Sequence, residues 1–399
     1  MKKIGIFLVI VLLITGCGKK SKSSIINDFK NKVNKSKSYE IVGTMDIIND
    51  EDVFKYDVNV KYLHKDNDYY KVVLKNQTNN HEQVILKNAE GVYVVTPSLN
   101  KSFKFQSNWP NNSSQSYLLS SIVNDIKNDS ESNYEEKDGY YIIKNKVKYP
   151  NNEELVYEKI YLDKDMLPKK VEVYNDKDVV KIKVEFNKID LKAGVDEDEF
   201  ELSKLVKEPE CDLECQNAKK NSKKEDSKNN NTAENNEDSN DNVENDIENK
   251  KNEEINEQNQ EEETEDSESQ NTDINKTEEK STTSIQDIIY PLYVPENTSL
   301  KSKDVISTEN GERVILTFSG ENSFVLVEET LNISDEFEII PVYGDPEIVN
   351  DSIGALSANS LSWTSNNINY YITGANLARN DLLSIATSMN NTGVVNAEK

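Results

Sequence analysis

GVYVVTPSLNKSFKFQSNWP, residues 91–110, decides how the first half of this chain is read. In its first arm Val92, Tyr93, Val94 and Val95 are apolar on both faces. In the second arm Phe103 and Phe105 alternate with Ser102, Lys104 and Gln106. An alternating strand buries one face, whereas a strand apolar on both faces needs cover on two. The pair therefore reads as a β-hairpin in a twisted sheet, with helices against the concave side and the return arm nearer an edge.

Working outward, short runs of Val, Ile, Tyr and Phe separated by Asn, Asp, Gly and Lys predict further strands at 38–48, 53–63, 69–74, 83–86, 140–147, 155–162, 169–174 and 179–186. Two helices accompany this antiparallel meander. Ser23 or Ser24 is placed to cap one whose apolar positions are Ile25, Ile26, Phe29 and Val33, and Ser113 or Ser114 to cap another with Tyr117, Leu118, Ile122, Val123 and Ile126.

The 399 residues are only 35% hydrophobic, because two kinds of sequence are averaged. Residues 221–280 hold five aliphatic side chains, no aromatic, no Gly and no Pro, and they carry more than half of the net charge of -26. Such a block cannot bury enough apolar surface to fold alone, and its self-repulsion favours an extended spacer. Beyond it, strands are predicted at 313–318, 324–329, 338–343, 347–350, 361–364 and 368–373. A last helix follows, with Asn376 or Asn380 as cap and Leu377, Leu382, Leu383, Ile385, Ala386 and Met389 on its apolar side.

The N-terminus has a charged start, Met1-Lys2-Lys3, and an apolar run from Ile4 to Ile14 that is too short to span a bilayer as a mature helix. Thr15-Gly16-Cys17 then resembles the lipobox of bacterial lipoproteins, which implies that Cys17 becomes the lipid-attached N-terminus. Lys19, Lys20 and Lys22 belong to a solvated tether that could rest on anionic headgroups.

Catalytic signatures are missing. Two histidines, His64 and His81, lie in polar surroundings, and no phosphate-cradling Gly-rich loop is present. Cys211 and Cys215 in CDLEC are spaced for a local disulfide or free thiols, and no further ligands stand near to make a zinc site. VDEDEF, 195–200, lacks the spacing and turn glycine of a calcium loop. Acidity without clustered Lys and Arg excludes nucleic acid as a partner. No cofactor or metal is expected. In each of the pairs Tyr69-Tyr70, Tyr140-Tyr141 and Tyr370-Tyr371, alternation is expected to place one ring in the core and one on the surface. The candidate contact residues are Tyr93, Val95, Phe103, Phe105, Trp109 and Tyr117, with Trp109 favoured because Pro110 ends the strand and leaves a large ring near a rim; packing of that ring under the following helix is the equal alternative.

Anchor cysteine, amphipathic helix and long meander together resemble the LolA/RseB-type half-barrel. GVYVVTPSLNKSFKFQSNWP, SYLLSSIVNDI and YLDKDMLPKKVEVYNDKDVVKIKVEFNKIDL resemble the clostridial germination lipoprotein GerS and its relatives over roughly residues 24–205. ENGERVILTFSG, DSIGALSANSLSW and INYYITGANL resemble the DUF4367-type domain. The resemblance implies an α+β protein: signal peptide 1–16, lipidated tether 17–23, half-barrel with two helices 24–205, acidic disordered linker 206–284, and a small α+β domain 285–399. It further implies a non-enzyme on the outer face of the cell membrane or spore envelope, binding a protein partner such as a cortex-modifying amidase. The alternative is a lipid or lipoprotein carrier that holds acyl chains between sheet and helices.

Overall fold

The computed structural model describes residues 20–49, 52–205, 284–285, 287–308, 311–331, 333 and 336–389. The expected signal segment 1–16, Cys17, Cys211, Cys215 and the acidic stretch 206–283 lie outside the described residues.

Helix α1 (Lys22–Lys35) is capped by Ser21, whose Oγ accepts the Ser24 N–H at 3.2 Å, and it buries Ile25, Phe29 and Val33. The cap thus falls two or three residues before the serines that the sequence offers first. The meander follows as β1 (Ser38–Asn49), β2 (Asp52–His64), β3 (Asp68–Asn76), β4 (Glu82–Asn88), β5 (Gly91–Thr96) and β6 (Lys101–Phe105). After helix α2 (Leu119–Asn128) it resumes with β7 (Asn133–Lys137), β8 (Tyr140–Lys146), β9 (Tyr157–Leu162), β10 (Pro168–Tyr174) and β11 (Val180–Asp190). Helix α2 starts later than expected because Ser114 is engaged elsewhere: its Oγ donates to Asp125 Oδ1 at 2.9 Å and accepts the Lys148 N–H at 2.8 Å.

Past the acidic stretch come β12 (Thr298–Thr308), β13 (Gly311–Gly320), β14 (Phe324–Thr330), β15 (Glu338–Val342), β16 (Asp345–Val349), β17 (Ser352–Leu356), β18 (Ser360–Ser365), β19 (Ile368–Thr373) and helix α3 (Arg379–Thr387). Neither Asn376 nor Asn380 caps α3; the Ala378 N–H donates to the Asp381 carboxylate at 3.3 Å instead. The molecule is α+β, with extensive antiparallel sheets and three helices among the described residues.

The larger sheet has twelve strands in the order β15-β6-β5-β4-β3-β2-β1-β11-β10-β9-β8-β7, and it is open, ending at β15 and β7. The second has seven, in the order β12-β13-β14-β19-β18-β17-β16. Both faces of β5 are covered, as its composition demands. Val92 and Val94 join the core under α1 and α2, with Phe29, Leu119 and Ile122. Tyr93 and Val95 face the other way, where Val195 and Phe200 from the chain following β11 fold over them.

The described residues up to 205 and from 284 onwards belong to one compact unit. β15 lies parallel to β6, pairing Glu338 with Lys101 through Val342 with Phe105, so β6 has a neighbour on the side expected to be open. Buried Gln83 accepts the Ile353 N–H at 2.6 Å, and Ile353 and Ala355 complete the larger core.

Gly344 joins β15 in one sheet to β16 in the other at φ +113, and a Cβ there would sit 2.2 Å from Leu356 O. Gly344→Ala is expected to cost about 2–4 kcal/mol, since both the dihedral and the space forbid the methyl group. Urea unfolding checks this, and a loss below about 0.5 kcal/mol would show that the junction relaxes freely.

Candidate functional site

Where the two sheets meet lies a cleft of about 800 Å³. Its apolar walls include Met45 and Ile47 of β1, Phe54 of β2, Ile182 of β11, Ile348 of β16 and Leu383 of α3. Its polar lining comes from the loop between β8 and β9, with Asn151, Asn152, Glu153 and Glu154, and from Glu347 on β16 and Asn380 on α3. On β16 Pro346 and Val349 are buried, whereas Glu347 and Ile348 stay half-buried at the lining.

Asn151 is 3% exposed and donates through Nδ2 to Glu347 Oε2 at 3.0 Å, while its Oδ1 is buried without a hydrogen-bond partner. Asn380 Oδ1 is likewise buried and unpartnered. Burial pushes the Glu347 carboxyl up, against the pull of the Asn151 amide and the Arg379 charge. Arg379 is itself committed, donating to Asp345 at 3.1 Å and to the carbonyls of Leu356 at 2.7 Å and Ser357 at 3.1 Å.

One bond behind the lining, Ser114 reaches Asp125, whose carboxyl is pushed up to about 7 by burial despite that bond. Glu158, fully buried, is raised further by its own desolvation and by the Asp125 charge, and it accepts the Asn145 amide at 3.0 Å. Both carboxyls therefore lose stabilising protons as pH rises, which opposes folding at neutral pH.

Of the six candidate contact residues, Trp109 and Tyr117 line the cleft and the others do not. Phe105 belongs to the larger core, Phe103 packs against it, and Tyr93 and Val95 are covered by the Phe200 segment. Trp109 is not at a rim: it is 1% exposed and meets the Tyr70 ring edge-on at 5.8 Å. The chain after β6 turns inward because Ser107 Oγ accepts the Trp109 N–H at 3.0 Å and donates to Asp345 at 2.8 Å.

Other sequence candidates are accounted for locally. His64 is exposed and pairs with Asp68 at 2.7 Å; His81 is half-buried, and burial lowers its pKa. Phe200 of VDEDEF is a core residue packed on Tyr69 at 5.7 Å. Tyr69 and Tyr70 are consequently both buried, whereas Tyr370 is buried and Tyr371 exposed, in the alternating arrangement. Glu347 and Asn151 carried no functional signal in the sequence and Asn380 read only as a helix cap, because their shared place on the cleft depends on the docking of the two sheets.

No family model matches the sequence. Among solved structures, the Pseudomonas aeruginosa MucA/MucB complex matches 91% of this chain and 97% of its own, at 9% identity and a TM-score of 0.29. A LolA superfamily protein from Nitrosomonas europaea matches 47% of this chain and 100% of its own, at 12% identity and a TM-score of 0.27. The complex of the CwlD amidase with the GerS lipoprotein from Clostridioides difficile matches 45% of this chain and 98% of its own, at 12% identity and a TM-score of 0.20. The sporulation protein YdcC of Bacillus subtilis (strain 168) is 31% identical over 383 residues, which span 96% of this chain and 94% of that protein. With identity of that extent along nearly the whole length of both proteins, the chain belongs to the family of the sporulation protein YdcC.

Proposed function

We propose that this chain is a non-catalytic envelope protein of sporulation, lipid-anchored through Cys17, that holds a segment of a protein partner in the cleft between its two sheets. The observation that carries this reading is the make-up of the cleft. Its volume of about 800 Å³ suits a few side chains, and its apolar walls are interrupted by Asn151, Glu347 and Asn380. An acyl chain laid there would leave the Asn151 and Asn380 Oδ1 atoms dry and unpaired, at roughly 1–3 kcal/mol each. Nor do the helices leave a half-barrel hollow for acyl chains: Ile25, Phe29, Leu118, Leu119, Ile122 and Ile126 fill the concave face at 0–4% exposure. A polypeptide segment supplies both apolar groups and hydrogen bonds.

The test is affinity capture of the tagged full-length chain from sporulating and vegetative membranes, with mass spectrometry of proteins and lipids. A protein enriched from sporulating cells is expected, and a cortex-modifying amidase is the first candidate. Ser384→Trp, at an exposed position of α3 that lines the cleft, is expected to reduce capture by about tenfold or more while leaving the melting temperature unchanged. Recovery of lipid without protein would transfer the reading to the carrier, and undiminished capture by the Ser384→Trp chain would remove the cleft from it.

A further inference from the structure

We propose that the part of the cleft formed by Glu347, Asn151 and Asn380 is a seat for one cationic side chain, arginine or lysine, of the partner segment. This rests on the reading of the cleft as a partner site and adds the chemistry that it selects.

What these three residues still offer to a ligand is acceptor capacity. Asn151 Oδ1 and Asn380 Oδ1 are buried and without partners, and the Glu347 carboxylate receives the Asn151 amide on Oε2. Buried acceptors left empty cost free energy, so a matching ligand must bring donors. A guanidinium carries five donors and no acceptor, and an ammonium carries three. The cations already near are occupied: Arg379 by Asp345 and two carbonyls, Lys181 by Glu154 at 3.9 Å. Asp52, Glu153 and Glu154 line the same cleft with Glu347, and against Lys181, the one cation of the lining among the described residues, they leave it net negative. Burial disfavours the charged form of the Glu347 carboxyl, opposed by the Asn151 amide and the Arg379 charge and reinforced by Asp345, and a cation seated beside it would favour that form. Charge and donor count together favour a basic residue over an acidic or apolar one, and a protein segment over a lipid headgroup, because Asn151, Glu347 and Asn380 interrupt the apolar walls on which acyl chains would lie.

The probe is the blocked tripeptide Ac-Gly-Arg-Gly-NH2, titrated onto the full-length chain by NMR or calorimetry beside its citrulline counterpart, which keeps the shape and removes the charge. The arginine peptide is expected to bind about tenfold or more tightly than the citrulline one. Glu347→Gln, which preserves the acceptor for Asn151, and Asn380→Ala are each expected to weaken the arginine peptide by about fivefold or more without shifting the melting temperature. Equal affinity for both peptides, no binding of either, or no effect of both substitutions would overturn the seat. So would a calcium ion that binds at Glu347 and excludes the peptide. The two proposals part cleanly under capture: if Ser384→Trp abolishes it and Glu347→Gln does not, the cleft stands and the cationic seat falls.

Discussion

Replacing Trp109 by alanine is expected to cost about 3–5 kcal/mol of folding stability, the range for removing a fully buried large aromatic side chain. The ring is 1% exposed, packs edge-on against Tyr70, and belongs to the same core as Tyr117, Leu118 and Leu119. Its neighbours cannot close the gap, since Tyr70 is fixed on β3 and donates or accepts at Ser120 Oγ, 2.9 Å away. Trp109 also lines the cleft, so the vacated volume would open into it. Loss of partner capture in the alanine variant is consequently ambiguous between an emptied contact and a loosened fold. Trp109→Phe separates the two: it retains most of the packing and is expected to lose about 1–2 kcal/mol while capture persists. Urea denaturation of both variants measures the costs, and an alanine penalty below about 1 kcal/mol would return the ring to the surface role that its place before Pro110 suggests.

The reason Trp109 misleads a reader of sequence is general to this molecule. Local pattern was informative wherever an element's own apolar residues mark it as a strand or a helix. The alternation at Phe103 and Phe105, the helical spacing of Ile25, Phe29 and Val33, and the doubly apolar Val92 to Val95 each led to an element close to the one observed. Pattern failed where burial depends on distant chain. β12, TSLKSKDVIST, is exposed along almost all its length and shows no apolar face to find. β17, SIGAL, is wholly buried but short, and with Ser, Gly and Ala at three of its five positions it shows no alternation to read; Gly354 lets Ser362 O approach a position where a Cβ would lie 2.7 Å away. β15 was visible as a strand, yet nothing in EIIPV says that it pairs with Lys101–Phe105 across the acidic stretch.

The candidate site was the least legible part for the same reason. Its walls come from β1, β2, β11, β16 and α3, and its polar groups from a loop, a strand and a helix that meet only when the C-terminal strands dock. An acidic segment of low complexity looks like a boundary between independent domains, because composition reports that a stretch cannot fold and not what its two ends do. Contact between the flanks is decided by surfaces such as Gln83, Asn79 and Tyr56, which bond to Ile353, Asp351 and Asn350. A polar residue that will be buried at such an interface is indistinguishable beforehand from one that stays in water.

Glu328 provides the other large effect. It occupies a core-facing position of β14 between Val314 and Tyr370, is fully buried, and accepts the Ile289 N–H at 3.0 and 3.3 Å through its two oxygens. Burial pushes its carboxyl up to about 8, and the single main-chain donor offsets only part of that. Between the ordinary glutamate range near 4.5 and about 8, the folded state holds a proton that the unfolded chain has released. Stability must therefore fall with rising pH across that window, by on the order of 3–5 kcal/mol for this one group. Glu328→Gln keeps an acceptor for Ile289 and a neutral group of the same size, and so removes the titration. The variant is expected to match the parent near pH 4.5 to 5 and to exceed it increasingly up to pH 8. Asp125 and Glu158 impose a slope of the same sign on both proteins, so the difference between the two melting curves isolates Glu328. Parallel curves across the window would mean that water reaches the Glu328 carboxylate and that β14 is not sealed at Tyr370.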